Sequence, residues 1–219
     1  MIEHPSPNFG PRRDGLTPAL IVLHYTAMQD AGAALQRLCD PASEVSAHYL
    51  VGADGTLWRL VPDEMRAWHA GAGAWGGAGD VNSRSIGVEL DNDGASPFPE
   101  AQMAALERLL DRLMARWAIS PSGVIAHSDM APDRKADPGP RFDWRRLARG
   151  GRAVWPAAAA PGDFLSDAAA AGYPVEAGPD LVLAAFRLRF RPGAAGPLAP
   201  EDRALMAGLA AIDAGAASA

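Results

Sequence analysis

Residues 19–23 read Ala-Leu-Ile-Val-Leu, a continuous apolar run with His24 directly behind it. A short apolar run bounded by turn residues is typical of a strand that is buried on both faces of a sheet. The run SIGVEL at 85–90 has the same character, and VIA at 124–126 ends at a second histidine, His127. These three runs predict the buried strands around which the rest of the chain is organised.

The segments between these runs predict helices and further strands. A helix is predicted over 98–117 because its apolar residues fall on one face: Met103, Leu106, Leu110, Leu113, Met114 and Trp117. A second helix is predicted over 29–38, and 47–51 with 57–61 predict two strands joined by a turn. The glycine-rich stretch 70–80 is predicted to be a loop. Strands that alternate with helices predict an α/β domain built around a central sheet.

The composition changes after Pro156. A run of alanines followed by Pro161-Gly162 predicts a linker, and three short helices are predicted beyond it, over 163–171, 179–190 and 200–211. We therefore divide the chain into a larger domain, 1–156, and a linker with a small helical module, 157–219. A helical module with so few large side chains is marginal on its own, so we expect it to dock on the larger domain.

Charge and cysteine content exclude some classes of function. The net charge of the 219 residues is −6, and a nucleic-acid-binding protein would usually present a basic face. The one cysteine, Cys39, rules out an intramolecular disulfide bond. The first residues lack the apolar core of a secretory signal or an anchor, so the sequence as written predicts a cytoplasmic protein without membrane insertion. A trimmed periplasmic or envelope protein would read the same way.

Two histidines and one aspartate have the pattern of a catalytic metal site. His24 and His127 stand at the ends of apolar strands, where α/β folds commonly place functional groups. Asp137 follows in a polar loop between the lysine of that loop and Pro138-Gly139. Two imidazoles and a carboxylate leave the fourth position of Zn²⁺ open for water, which is the arrangement of zinc hydrolases. These residues predict one Zn²⁺ per chain.

Hydrolysis also requires a general base and a group that stabilises the oxyanion. Glu89 lies near the end of an apolar strand, where a carboxylate is costly to bury without a function or a partner, and it is the predicted base. Lys135 is the only lysine among 20 cationic residues, and it is the predicted oxyanion partner. Four other carboxylates near these segments are expected to be solvated loop groups: Asp91, Asp93, Asp129 and Asp133.

Two further histidines lie outside this set. His48 is predicted to be a packed residue or a neighbour of the metal ligands. His69, in the sequence WHAG, is expected to contact substrate or anchor the loop rather than to act as a fourth ligand. Trp68 and Trp75 could stack on sugar rings, although burial is the commoner role for tryptophan.

Several of these motifs, in this order, resemble the type 2 N-acetylmuramoyl-L-alanine amidases. That group includes the AmpD-type recycling enzymes, phage amidases and peptidoglycan recognition proteins. The resemblance covers most of the first 150 residues and rests on IVLHYTA (21–27), SAHYLVGADGTLWRLVPDEMRAWHAG (46–71), NSRSIGVEL (82–90) and HSDMAPDRKADPG (127–139).

The resemblance implies a mixed central β-sheet flanked by helices and a site with assigned roles. In such a site His24, His127 and Asp137 bind Zn²⁺, Glu89 activates water, and Lys135 stabilises the oxyanion. The phage enzymes carry a tyrosine just before the histidine of the second strand. Ala47 stands there in this chain, so no tyrosine acid is assigned.

The resemblance also implies a reaction and a class of substrate. The expected activity is zinc-dependent hydrolysis of the bond between N-acetylmuramic acid and L-alanine, with peptidoglycan fragments or murein as substrate, in cell-wall turnover or recycling. The alternative is a recognition module that binds muropeptides without cutting them. The segment 181–192 with the residues after it resembles a three-helix peptidoglycan-binding module. The preferred substrate size and the oligomeric state stay open.

Overall fold

A computed structural model describes residues 1–216, with side chains as far as Ile212. Within this part of the chain the strands are β1 (Ile2–Glu3), β2 (Phe9–Pro11), β3 (Leu20–Tyr25), β4 (Tyr49–Val51), β5 (Leu57–Arg59), β6 (Met65–Ala67), β7 (Ser85–Leu90) and β8 (Val124–Ala126). The α-helices are α1 (Ala31–Cys39), α2 (Val81–Arg84), α3 (Glu100–Trp117), α4 (His127–Met130), α5 (Trp144–Arg149), α6 (Phe164–Ala170), α7 (Pro179–Phe190) and α8 (Pro200–Ala216).

The central sheet is mixed, as the resemblance implied. Its strand order is β1-β5-β4-β7-β3-β8, and only β4 and β5 pair antiparallel. A separate antiparallel pair joins β2 to β6. The three predicted apolar runs form the adjacent parallel strands β7, β3 and β8. Their carboxyl ends therefore meet at one edge of the sheet, which is where polar groups of α/β folds collect.

Alternate residues of these strands face two different layers. Ile21 and Leu23 of β3 pack with Ile86 and Val88 of β7 in a core that includes the apolar face of α3. On the opposite face, Val22 belongs to a second core that includes residues of α6, α7 and α8. The predicted face of α3 is confirmed, since its members are buried or packed against the first core.

The C-terminal helices contact the sheet through that second core. It joins Leu20 and Val22 of β3 and Ile125 of β8 to Phe164 of α6 and Phe186 of α7. Residues from both sides of the proposed boundary at residue 156 thus share one apolar cluster. The C-terminal helices lie on the same face of the sheet that carries His24, because His24 alternates with Leu20 and Val22 along β3.

Several element boundaries differ from the sequence-based prediction. The strand predicted over 19–23 continues to Tyr25, so His24 lies within β3 rather than after it. The stretch 128–140, predicted to be a loop, begins within the one-turn helix α4. The last helix, predicted to end at residue 211, continues to Ala216. The short elements β1, β2, β6, α2 and α5 were not predicted.

Asp129 corrects one of the predictions made from sequence. Its side chain is fully buried instead of solvated, and it accepts hydrogen bonds from the Tyr173 hydroxyl (2.9 Å) and from Arg189 Nη1 (2.7 Å). Arg189 also donates to the Val124 carbonyl and lies 4.0 Å from the ring centroid of Trp144. This buried ion pair links α7 to α4, the helical turn that begins with His127.

No helix within residues 1–216 has both the length and the apolar character needed to cross a membrane. The longest of them, α3, carries an apolar face toward the sheet and a charged face away from it.

We expect Arg189→Met to lower the free energy of unfolding by about 3–5 kcal/mol, because it leaves the Asp129 carboxylate buried without its cation. Arg59→Met is the matched control. Arg59 pairs with Glu3 at the surface, where such pairs contribute about 1 kcal/mol or less. Urea unfolding of the two variants and the wild type measures both effects. Equal, small losses in the two variants would show that the buried pair does not hold α7 to α4.

Candidate metal centre and cleft

The strand register brings the predicted site residues together at one edge of the sheet. His24 and Glu89 are the next-to-last residues of β3 and β7, and they are register partners in the parallel ladder. Residues that are register partners on neighbouring strands point to the same face of the sheet, so the two side chains lie on one face. His127 begins α4 directly after β8, the neighbour of β3 on its other side. The backbone of the sheet thus supplies three of the predicted positions.

The loop after α4 brings in the fourth residue. The Asp137 carbonyl accepts a hydrogen bond from the Ser128 N–H (3.1 Å), which closes the loop back on the helical turn. The Asp137 side chain is nearly buried beside His24 and His127. In the same loop, the Lys135 N–H donates to the Ala131 carbonyl at 3.0 Å. These backbone bonds hold the carboxylate against the two imidazoles.

Three side-chain atoms converge on one point. Nδ1 of His24 lies 2.9 Å from Nδ1 of His127, and each of these nitrogens lies 2.9 Å from Oδ2 of Asp137. Among the described residues, these three form the group of histidine, cysteine and acidic side chains whose ligand atoms are close enough to share a metal ion. One carboxylate and two imidazoles form the donor set of an open zinc site.

The protonation of His24 supports this interpretation. Burial, together with the adjacent His127, lowers the pKa of His24 to about 4 in spite of the nearby Asp137 carboxylate. The ring is therefore neutral at neutral pH. Three electron-rich atoms at 2.9 Å cannot all be paired with one another by hydrogen bonds, and a cation bound between them would resolve their mutual repulsion. The residues present fit a divalent metal ion.

Glu89 lies beside this group with a free oxygen. Within the described part of the chain, its Oε2 is buried and has no hydrogen-bond partner. Burial and the Asp137 carboxylate raise the pKa of Glu89 well above its ordinary value, and Lys135 acts in the opposite direction. A buried carboxylate oxygen without a partner is costly unless it has a ligand or a proton to accept.

The cleft above these groups has a volume of about 500 Å³. Lys135 is exposed at its rim, and Trp68, Tyr25 and Arg37 also line it. Its walls come from β3, α1, the segment around residue 69 and the loop that ends at Asp137. The cleft is therefore open to a substrate that reaches the three converging atoms from outside the sheet edge.

Some residues singled out in the sequence are buried away from the cleft, and others are exposed to solvent. His48 is fully buried, accepts a hydrogen bond from the Gly87 N–H (2.9 Å) and contacts the Met65 carbonyl (3.1 Å), as expected of a packed residue. Trp75 is buried against Tyr173 in the second core, so it is not available to a sugar ring. Asp93 and Asp133 are exposed, as predicted for solvated carboxylates.

Sequence reasoning did not assign the contacts of His69. Its Nδ1 lies 3.0 Å from Nε2 of His24, and its Nε2 lies 3.1 Å from the Ser85 hydroxyl. Both ring nitrogens are therefore engaged outside the group of three converging atoms. In the sequence, the position of His69 beside a glycine-rich loop was the only indication that it has a role. That position does not identify His24 or Ser85 as its partners.

The chain is similar to known proteins in sequence and in fold. Residues 14–140 match the sequence profile of the family described as N-acetylmuramoyl-L-alanine amidase. The chain is 38% identical over 209 residues to the N-acetylmuramoyl-L-alanine amidase AmiD of Escherichia coli, covering 79% of this chain and 75% of AmiD. It is 33% identical over 160 residues to the 1,6-anhydro-N-acetylmuramyl-L-alanine amidase AmpD of Citrobacter freundii, covering 65% of this chain and 86% of AmpD.

A solved structure extends the similarity to the C-terminal helices. It is the complex of Escherichia coli AmiD with the substrate anhydro-N-acetylmuramic acid-L-Ala-D-gamma-Glu-L-Lys, and it superposes with a TM-score of 0.79 at 37% identity. The match covers 90% of this chain and 90% of AmiD, so it extends well beyond residue 156. From its profile match, its relatives and its fold, the chain belongs to the N-acetylmuramoyl-L-alanine amidase family.

Proposed function

We propose that this protein uses Zn²⁺ to hydrolyse the amide bond between N-acetylmuramic acid, or its anhydro form, and the L-alanine of a peptidoglycan stem peptide. The observation that carries the proposal is the convergence of His24 Nδ1, His127 Nδ1 and Asp137 Oδ2 beside the free oxygen of Glu89. Family membership and the substrates named for AmiD and AmpD support the choice of bond. The role would be cell-wall turnover or recycling.

His24, His127 and Asp137 would hold the metal ion, because they present three ligand atoms of the type and number that catalytic zinc sites use. Bound there, Zn²⁺ would acidify water and polarise a carbonyl oxygen. The two histidines come from the rigid sheet edge, and Asp137 is held by the Ser128 N–H.

Glu89 would act as the general base and then as the acid. Its free Oε2 would accept a proton from the attacking water and deliver it to the L-alanine nitrogen as the carbon–nitrogen bond breaks. The products would be the muramic acid carboxylate and a peptide with a free amine. The position opposite His24 in the parallel ladder supports this role, because it fixes the distance of the carboxylate from the metal ligands.

Lys135 would stabilise the oxyanion that develops on the carbonyl carbon during attack. Its backbone is anchored by the Ala131 carbonyl, and its side chain lines the cleft. A compact ammonium can approach a single oxygen, whereas a guanidinium presents a planar fork. That difference gives a physical reason for a lysine in a chain that has arginine at every other Lys or Arg position.

The function is tested by mass spectrometry of MurNAc-L-Ala-D-Glu-diaminopimelate and its anhydro form after incubation with the protein. We expect free sugar and free peptide to appear, to be lost on chelation and to return with Zn²⁺. Intact sacculi, digested in parallel, would show whether polymeric murein is also a substrate. An intact muropeptide under zinc-replete conditions would instead indicate a recognition module that binds without cutting.

Glu89→Gln should lower kcat by about 10²- to 10⁴-fold, the range typical of general acid–base groups, because the amide cannot accept the proton. Zinc content, measured by elemental analysis, should be unchanged. Asp91→Asn is the matched control, since Asp91 lies just beyond the same strand but accepts a hydrogen bond from the Ala53 N–H. If Asp91→Asn lost turnover and Glu89→Gln kept it, the base would be Asp91.

Lys135→Arg should lower kcat by at least about tenfold, since removing one oxyanion donor costs about 10²- to 10³-fold and arginine restores charge without the shape. Arg108→Lys, a swap in the reverse direction at an exposed position of α3, is the control and should have no effect. Steady-state kinetics on the anhydro-muropeptide measure both. Full activity of Lys135→Arg would remove the lysine from the mechanism.

A further inference from the structure

Two consecutive residues contact the outer nitrogens of both proposed histidine ligands. Nδ1 of His69 lies 3.0 Å from Nε2 of His24, and the carbonyl oxygen of Ala70 lies 3.0 Å from Nε2 of His127. In each ligand the opposite nitrogen, Nδ1, is the one that faces Asp137. The dipeptide 69–70 therefore touches the site from behind, on the side away from the converging atoms.

The direction of the hydrogen bond at His69 follows from Ser85. The Ser85 hydroxyl lies 2.6 Å from the Val81 carbonyl, which can only accept, so the hydroxyl proton is used there. The same oxygen must then accept a proton from Nε2 of His69. Among the described residues, the partners of the two ring nitrogens are His24 and Ser85, so no carboxylate holds a second proton on the ring. Nδ1 of His69 is consequently an acceptor.

The protons on the two ligands follow in turn. Because Nδ1 of His69 accepts, Nε2 of His24 must donate to it, which leaves Nδ1 of His24 as the nitrogen that can offer a lone pair to a metal ion. The Ala70 carbonyl can only accept, so Nε2 of His127 also carries its proton. With its proton on Nε2, His127 has Nδ1 left as the nitrogen that can offer a lone pair to a metal ion. Both imidazoles are set in the tautomer that a metal ion requires.

Neighbouring residues hold the dipeptide in this position. The His69 ring lies flat against Gly87, where an added Cβ would come within 2.3 Å of the ring. Ser85, Gly87 and Glu89 alternate along β7 and therefore lie on one face of the strand. On that face Ser85 binds the His69 ring, Gly87 leaves room for the ring, and Glu89 is the proposed general base. The amide oxygen of Asn82 accepts hydrogen bonds from the N–H groups of His69 (3.1 Å) and Ala70 (2.8 Å).

We propose that the dipeptide His69–Ala70, held by Ser85 and Asn82, fixes the tautomers of both metal-binding histidines. His69 is thus a positioning residue, neither a fourth ligand nor a substrate contact, because both of its ring nitrogens are engaged. This inference rests on the proposed zinc site, and it adds the residues that set the protonation of the two histidines in that site. Outer partners of this kind typically change metal affinity by about 10- to 100-fold when they are removed.

The first test uses the wild-type protein freed of metal. Imidazole ¹⁵N chemical shifts at neutral pH distinguish the two neutral tautomers of each histidine. We expect His24, His69 and His127 all to carry the proton on Nε2. A proton on Nδ1 of His24 or of His127 would overturn the proposal, whether or not the protein proves to be an amidase.

The second test separates positioning from packing. His69→Phe keeps a flat ring over Gly87 but removes the acceptor, so it should weaken Zn²⁺ binding about 10- to 100-fold and release the tautomer of His24. His69→Asn, whose amide oxygen can replace Nδ1 as acceptor, should recover most of the affinity. His48→Phe is the control, because His48 is a buried histidine near His69 that touches none of the three ligand atoms.

Competition with a chromophoric chelator measures the affinities, and urea unfolding reports the stability of each variant. Wild-type affinity in His69→Phe, with His24 still protonated on Nε2, would overturn the proposal. An equal loss of affinity in His48→Phe would do the same, because it would show a packing effect. Absence of Zn²⁺ binding by the wild type would contradict the proposed function, and the ¹⁵N shifts would still decide the tautomers.

Discussion

Two imidazole nitrogens and a carboxylate oxygen lie within 2.9 Å of one another, and much of the surrounding structure serves to keep them there. Lone pairs at such distances repel unless a cation lies between them. The fold brings the three side chains together through contacts of its own. It does so with a parallel ladder for His24, a helical turn for His127, and a backbone hydrogen bond for Asp137.

Strand β7 shows how one element can serve several parts of a site. On the face that carries His69, β7 presents the hydroxyl of Ser85, the bare backbone of Gly87 and the carboxylate of Glu89. A glycine within a strand weakens the strand, and here it makes room for the ring of His69. The other face of β7 is wholly apolar and joins the core under α3. Because side chains alternate between the two faces of a strand, β7 places the polar residues of the site on one face and apolar core residues on the other.

The C-terminal helices also bear on the site, although they lie away from the cleft. Arg189 and Tyr173 both hydrogen-bond to Asp129, which stands two residues after His127 in the same helical turn. A buried ion pair is costly to assemble and strongly destabilising to break, so it ties the position of α4 to the presence of α7. The part of the chain beyond residue 156 is in this way a support for the segment that carries His127, one of the proposed metal ligands.

The sequence by itself determined the buried strands, the amphipathic helix α3 and the residues that meet at the sheet edge. Apolar runs and helical periodicity are local properties, and a histidine at the end of such a run must come to the edge of the sheet. Strands as short as β1 and β2 are too short to show an apolar pattern, and they are recognised only by their hydrogen bonds to β5 and β6. Only the tertiary structure decided the state of Asp129, since its cation lies 60 residues further along the chain. The role of His69 likewise depended on Ser85 and Gly87, because a tautomer is set by hydrogen-bond partners that the fold, not the local sequence, brings together.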